Sequence, residues 1–256
     1  MRLQFTSARA VVAPLLLGLV VLALWQLAVV ALEIKPFVLP GPVAIADQFF
    51  GNIDSVWTAV AVTGWNALVG LVLGGIAGVL FATVSAIWPV LDELSAPVVA
   101  ALAVIPIVAL APVLYTMYGA GAQTARQIVA AVAVFIPVYI NSLRGFRQVR
   151  PVHRELMHVY AATGIQTARN VTLPSALPFI FTGLRIASSL AVISALIAEY
   201  FGGPVGGLGK SITSAASSSN YSLAWAYVLG SIVLGLIFYC VTLGLERFVS
   251  RHRSTP

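Results

Sequence analysis

Several side chains in this sequence have the chemistry of a catalytic or metal site, but their spacing does not support one. His153 and His158 lie five residues apart, whereas two ligands on one helix face lie three or four residues apart. The glycine-rich stretch 202–209 is followed by Lys210 and Ser211, but Pro204 stands where a phosphate-binding loop needs its first glycine. No carboxylate, histidine and serine cluster along the chain. We therefore predict no catalytic residue, no metal site and no cofactor, and do not expect an enzyme.

The polar segment 143–177 differs from the rest of the chain. It contains five arginines, two histidines and one glutamate, whereas only 9% of all residues are charged. Residues 152–162 lack proline and glycine, and Leu156, Val159 and Tyr160 recur at helical spacing. This pattern predicts a short amphipathic helix at the membrane surface. An arginine anchor for anionic lipid is the alternative interpretation.

Apolar stretches flank this segment and must position it. No charged residue occurs in 55–91, 94–125 or 211–245. Each stretch is longer than the about 20 residues that cross a bilayer as a helix. The sequence predicts an all-α integral membrane protein with six transmembrane helices, at roughly 11–32, 57–86, 96–118, 126–142, 178–198 and 223–246. The membrane domain then covers 11–248, with termini at 1–10 and 249–256.

The distribution of basic residues predicts the orientation. One side, formed by the termini, the 87–95 loop and residues 143–185, carries eleven arginines. The other side carries Lys35, Arg126 and Lys210. Because basic residues concentrate on the cytoplasmic side, both termini should be cytoplasmic in a cell membrane. The net charge of +6 is thus explained by the bilayer, and we expect no nucleic-acid partner. The predicted outward segments are 33–56, 119–125 and 199–222.

Small residues recur every four positions in the second predicted span. They are Gly70, Gly74, Gly78 and Ala82. This spacing places them on one helix face, where a neighbouring backbone can approach closely. We favour packing within the chain over a contact between subunits.

Three further residues are candidates for a pathway or gate. Pro106 and Pro112 lie in the third predicted span, where proline kinks a helix. Kinked helices either line a pathway or are simply tolerated. Glu199, at the end of the fifth span, either lines an outer gate, pairs with Lys210 or lies at a solvated helix end.

Within the polar segment, the chain resembles permeases of ABC importers. Their signature reads E-A-A, three residues, G, nine residues, I, one residue, L-P. Glu155 and Leu173-Pro174 stand at the required spacing. The other positions differ: Leu156, Met157, Ala161 and Val171. Gly164 lies three residues after the expected glycine, so the sharp turn at Ala161 is open to question.

Other stretches resemble the subfamily that imports nitrate, sulfonates, taurine and thiamine-related pyrimidines. They are PFVLPGPVAIADQF (36–49), AVIPIVALAPVLYTMYGAG (103–121), LPSALPFIFTGLRIASS (173–189) and IAEYFGGPVGGLGKSI (197–212). Four such stretches in the expected order extend the resemblance over about 35–250. It implies a type I ABC importer permease fold. The EYFGGP variant inclines us toward a pyrimidine or vitamin-precursor substrate, with sulfonate, nitrate or taurine as the other class.

The resemblance also implies a mechanism and partners. The signature segment would be a coupling helix that docks on an ABC ATPase subunit, and ATP-driven closure would rock the spans between two states. Ten residues would form this site: Arg150, Arg154, Glu155, Leu156, Val159, Tyr160, Ala161, Gly164, Leu173 and Pro174. An extracytoplasmic solute-binding protein and a second copy of the permease would complete the importer. The rival hypothesis is a secondary transporter, but those have more spans, repeats and intramembrane acids.

Overall fold

The structure is a computed structural model that describes residues 7–119, 121–202 and 206–251, and their side chains except at 7–11, 107–108 and 250–251. The described residues form helices joined by short connections. These are α1 (Ser7–Ala31), α2 (Pro42–Gly51), α3 (Ile53–Ile87), α4 (Pro89–Val104), α5 (Ile107–Tyr118), α6 (Gln123–Arg147), α7 (Pro151–Val159), α8 (Gly164–Thr167), a π-helix (Ala168–Thr172), α9 (Leu173–Phe201), α10 (Leu208–Ser217) and α11 (Tyr221–Arg251).

The core of the bundle is formed by α3, α6 and α9, with α11 packed against α9. Glycines let α3 approach α6 closely. A Cβ atom on Gly74 would lie 2.8 Å from the Cβ of Val134, and one on Gly78 would lie 3.0 Å from the Cβ of Val138. Ala82 is fully buried in the adjoining core. Packing within the chain is therefore confirmed for the small-residue face of the second span.

The third predicted span is not one kinked helix. It is broken between α4 and α5, whose axes differ by 96°. Pro106 has no N–H to donate, and it forces Ile105 out of helical geometry into an extended one. By contrast, Pro112 is accommodated inside α5. The prediction of a continuous helix over 96–118 was wrong at this point.

The broken pair nevertheless joins the two ends of the bundle. Near its start, Asp92 forms an ion pair with Arg147 at the end of α6. Near its finish, Tyr115 donates a 2.9 Å hydrogen bond to the carbonyl of Ala198, close to the end of α9. Five described helices are long and apolar enough to cross a membrane. If α4 and α5 are counted together as one further span, the total is the six that were predicted. We name the two ends of the bundle the α7 end and the α10 end, after the short helices that lie there.

Several predicted boundaries shift. Residues 143–147 belong to α6 and residues 173–177 belong to α9, so the connection at the α7 end is 148–172, shorter than the 143–177 predicted. The last helix continues to Arg251, past the predicted domain limit at 248. Residues 1–6 and 252–256 of the predicted termini lie outside the described residues.

The first span lies apart from the bundle. None of the apolar window Val12–Ala31 is buried within the chain. Its described contacts are at its C-terminal end, where the Gln26 side chain accepts a hydrogen bond of 3.1 Å from the backbone of Val43. Trp25 also packs edge-on against Trp225, with ring centroids 5.8 Å apart. The contacts described for α1 therefore lie at the α10 end.

Candidate functional site

The polar connection between α6 and α9 projects one short helix, α7, away from the bundle. Val149 is buried and fixes the chain where it leaves α6. Pro151 follows at the first turn of α7, where its missing N–H costs nothing because that position has no partner within the helix. No residue of α7 is buried. The amphipathic helix predicted for 152–162 thus forms over 151–159.

The apolar residues of α7 share one exposed face. Leu156, Val159 and Tyr160 are 51%, 81% and 74% exposed, and their spacing of three and four places them side by side. Contiguous apolar surface outside a membrane marks an interaction site. Three charged residues predicted for the same site are exposed beside this face, and no described residue pairs with them: Arg150, Arg154 and Glu155. The structure therefore places six of the ten residues predicted for this site on one exposed helix and its two cap positions.

The C-terminal turn of α7 is made by Ala161. Its φ is +49°, in the left-handed region that usually requires glycine. The backbone N–H of Ala161 donates to His158 and that of Ala162 donates to Met157, each at 2.9 Å, as in a Schellman motif. Gly164 does not make this turn. It begins α8, after a capping box formed by Thr163 and Gln166.

Leu173 and Pro174 lie where α9 begins, directly after the π-helix. A groove of about 330 Å³ separates this point from α7. It is lined by His153, Leu156, Met157, Asn170, Val171, Pro174 and Ser175. The two ends of the predicted signature thus face each other across one groove.

At the α10 end lies a buried polar cluster, which sequence reasoning did not foresee. Glu199 is 0% exposed. Its Oε2 accepts hydrogen bonds from Thr63 Oγ1 at 2.7 Å and from the Gly209 N–H at 3.2 Å, and its Oε1 accepts one from Asn66 Nδ2 at 3.2 Å. The expectations of a solvated helix end and of a pair with Lys210 were both wrong.

Arg126 completes this cluster. It is 2% exposed, and its Nε donates to the hydroxyl of Tyr115 at 3.3 Å. The opposite charge of Glu199 is close enough to interact with it electrostatically, which offsets part of the cost of burying either group. Pro106 and Pro112 are exposed on the broken span and do not join the cluster.

A model of the family described as binding-protein-dependent transport system inner membrane component matches residues 70–251. The chain belongs to this family. It is a multi-pass permease of the cytoplasmic membrane and a subunit of an ABC importer, so its partners are an ATPase and a solute-binding protein. The comparisons give no support to a secondary transporter.

Curated relatives extend this permease's likeness over most of its length. It is 31% identical over 239 residues to a riboflavin transport system permease of Chloroflexus aurantiacus, covering 93% of this chain and 88% of that protein. It is 30% identical over 190 residues to a putative aliphatic sulfonates transport permease of Escherichia coli K12, covering 73% and 72%.

The fold is shared with a solved ABC importer. A structure of the MetNI methionine ABC transporter matches with a TM-score of 0.60 at 20% identity, covering 77% of this permease and 95% of the solved chain. The type I importer permease fold expected from the sequence is confirmed.

Proposed function

We propose that α7 is the coupling helix through which this permease receives mechanical work from its ATPase. The observation that carries the proposal is the exposed apolar face of Leu156, Val159 and Tyr160, of which Val159 and Tyr160 are 81% and 74% exposed. The connection that carries α7 joins α6 and α9, two of the three core helices. A displacement of α7 is therefore passed directly to the centre of the bundle.

The turn at Ala161 supports the alignment of this segment with the importer signature. A glycine is expected there, and the backbone adopts the left-handed conformation for which glycine is suited. Gly164, the competing candidate, has no positive φ. Glu155 and Leu173-Pro174 then keep their signature positions, and the chain tolerates alanine in the turn.

The α7 end faces the cytoplasm in this proposal, and the α10 end faces outward. Eleven arginines against Lys35, Arg126 and Lys210 support this orientation. Burial of Arg126 strengthens the argument for this orientation. A cation that is hydrogen-bonded inside the protein has little influence on the side of the membrane on which a loop lies. The two remaining lysines are then the basic residues of the outward side.

Two copies of the permease would enclose the pathway, lined by α4, α5, α6 and α9. One chain of six spans is too small to enclose a gated path. Pro106 and Pro112 are exposed on the single chain, as residues that line a space between two copies would be. Native mass spectrometry of the purified importer should find two copies of this chain, and a second, different permease would contradict the homodimer.

The transported solute is a small polar molecule, and we favour a pyrimidine or vitamin-type heterocycle. The preference rests on the EYFGGP variant at 199–204. The riboflavin permease is 31% identical to this chain and the sulfonate permease is 30% identical. Since the two identities are almost equal, sulfonate, nitrate and taurine form the second candidate class. Uptake into vesicles supplied with the binding protein, screened over both classes, distinguishes them.

A photo-cross-linking experiment tests the site and the orientation together. A photoreactive amino acid replaces Val159 on α7 or, as a matched control, Phe50 on α2 at the α10 end; both side chains are highly exposed and apolar. In membranes that contain the whole importer, Val159 should cross-link to the ATPase and Phe50 should not. If only the Phe50 position cross-links to the ATPase, the orientation is the reverse of the one proposed. If neither position cross-links, the coupling site is refuted.

A further inference from the structure

Glu199 has the burial and the bonding of a structural group rather than of a gate. Both carboxylate oxygens already accept hydrogen bonds, three in all, from Thr63, Asn66 and Gly209. No part of the side chain reaches the surface of the chain. A residue that contacts a passing solute needs free acceptors and access to a cavity, and Glu199 has neither.

What Glu199 holds is the beginning of α10. The Gly209 N–H bonds to its carboxylate directly, and the Leu208 N–H donates to Thr63 Oγ1 at 2.8 Å, the same hydroxyl that donates to Glu199. The first N–H groups of a helix have no partners within the helix, so these bonds satisfy donors that would otherwise be left buried and unpaired. Leu208 and Gly209 are both buried.

Glycine makes this approach feasible. A Cβ atom on Gly209 would lie 2.9 Å from both the Cβ of Glu199 and the backbone nitrogen of Tyr200. Any larger residue would therefore push α10 away from α9. The contact between α10 and α9 at this point therefore requires both the glycine at 209 and the carboxylate at 199.

The same network reaches the other core helices. Asn66 on α3 accepts a hydrogen bond of 3.4 Å from Gln127 on α6. On α5, Tyr115 links Arg126 of α6 to the carbonyl of Ala198 on α9. Five helices are therefore tied together at the α10 end by polar contacts. Glu199 and Thr63 bind the first turn of α10, which also packs against α11.

We propose that Glu199 is a positioning residue, which fixes α10 through Thr63 and Gly209 and so sets the surface that receives the solute-binding protein. The proposal rests on the orientation given under Proposed function, in which α10 faces outward. Residues 217–220, at the far end of α10, are exposed there. A binding protein that docks on this surface pushes on α10, and a fixed α10 passes the force to α3 and α9.

The test variant is Thr63→Val, which keeps the shape of the side chain. It removes the donor to Glu199 and the acceptor for Leu208 together. Loss of a buried hydrogen bond corresponds to a change of about tenfold in an equilibrium constant. In lipid nanodiscs that contain the permease and its ATPase, the concentration of cognate binding protein giving half-maximal stimulation of ATP hydrolysis should rise by at least about tenfold, because two such bonds are lost.

Two further variants separate positioning from general stability. Thr63→Ser restores the hydroxyl and should restore the wild-type half-saturating concentration. Gly209→Ala removes no polar group but displaces α10, and should raise that concentration as Thr63→Val does. Gly235→Ala on α11, where a Cβ atom would meet nothing within 4 Å, is the matched control and should change nothing. A wild-type concentration in both Thr63→Val and Gly209→Ala overturns the proposal.

A spectroscopic measurement reads the position of α10 without any partner. Nitroxide labels are placed at Ser217 on α10 and Asp54 on α3, both exposed, after Cys240 has been replaced by serine. The distance distribution should be narrow in the wild type and broad in Thr63→Val. An unchanged distribution would overturn the proposal even if the importer proved to have the opposite orientation. Suppose instead that the distribution broadens in Thr63→Val but binding protein does not stimulate ATP hydrolysis by the wild type. The positioning of α10 is then correct, and the error lies in the orientation.

Discussion

Tyr160→Asp is the sharpest test of the coupling site. Tyr160 caps α7, its side chain is 74% exposed and the described residues give its hydroxyl no hydrogen-bond partner. The substitution therefore removes no contact within the permease. We expect normal expression, normal membrane insertion and an unchanged melting temperature of the isolated permease.

The loss should appear in the complex with the ATPase. In an apolar groove, an aspartate is a buried charge without a partner, which costs about 3–5 kcal/mol. Since 1.4 kcal/mol is a factor of ten, docking should weaken by more than about a hundredfold. Glu155→Ala removes only one exposed charge, an effect of at most about 1 kcal/mol, and should weaken docking less than tenfold.

The assay is co-purification of the ATPase with the permease from detergent-solubilised membranes, followed by uptake in vesicles. Tyr160→Phe is the matched control, because it keeps the ring and loses only an unbonded hydroxyl; it should retain both activities. If Tyr160→Asp retains ATPase binding and uptake, α7 is not the docking element. If it is lost from the membrane instead, the premise that its side chain is free in the permease is wrong.

The remaining predictions concern packing, the turn and the orientation. Gly74→Ala forces a Cβ atom into Val134 and the α6 backbone, so it should lower the free energy of unfolding by about 1–3 kcal/mol. Gly235→Ala should leave that free energy unchanged. Ala161→Gly relieves a left-handed alanine and should slow amide exchange in the α7 turn by up to about tenfold, with uptake retained. Reporter fusions after Pro256 and within 199–222 should report opposite sides of the membrane, and the same side for both would refute the six-span topology.

The spans and α7 could be predicted because each is encoded locally. Long charge-free stretches can satisfy their backbone groups in lipid only as helices, and the apolar spacing of 156, 159 and 160 lies within five residues. The break at Pro106 could not be foreseen in the same way. Pro97, Pro112 and Pro137 are equally proline, and all three lie inside continuous helices. The residue type alone therefore does not distinguish the proline at the break from those inside continuous helices.

The cluster around Glu199 was missed for a related reason. Glu199 and its partners Thr63 and Asn66 are 136 and 133 residues apart in sequence. Nothing in the neighbourhood of any of them marks it as buried. Arg126 was predicted to lie on the outward side of the membrane, because it opens the apolar span 126–142 in the manner of a flanking residue. One signal was available in the sequence. Glu199 precedes the glycine-rich stretch 202–209, and glycines allow a backbone to approach a buried carboxylate closely.

The two ends of the bundle differ in the polar bonds that join their helices. At the α10 end, buried hydrogen bonds join five helices, and such bonds cannot be broken without leaving polar groups unpaired in an apolar interior. At the α7 end, the ion pair of Arg147 with Asp92 is partly exposed, and exposed pairs contribute little free energy. Glu246 of α11 is less exposed there, and it binds Arg185 and Thr182 of α9. The polar bonds of the α10 end are therefore better shielded from water than the ion pair of Arg147 with Asp92.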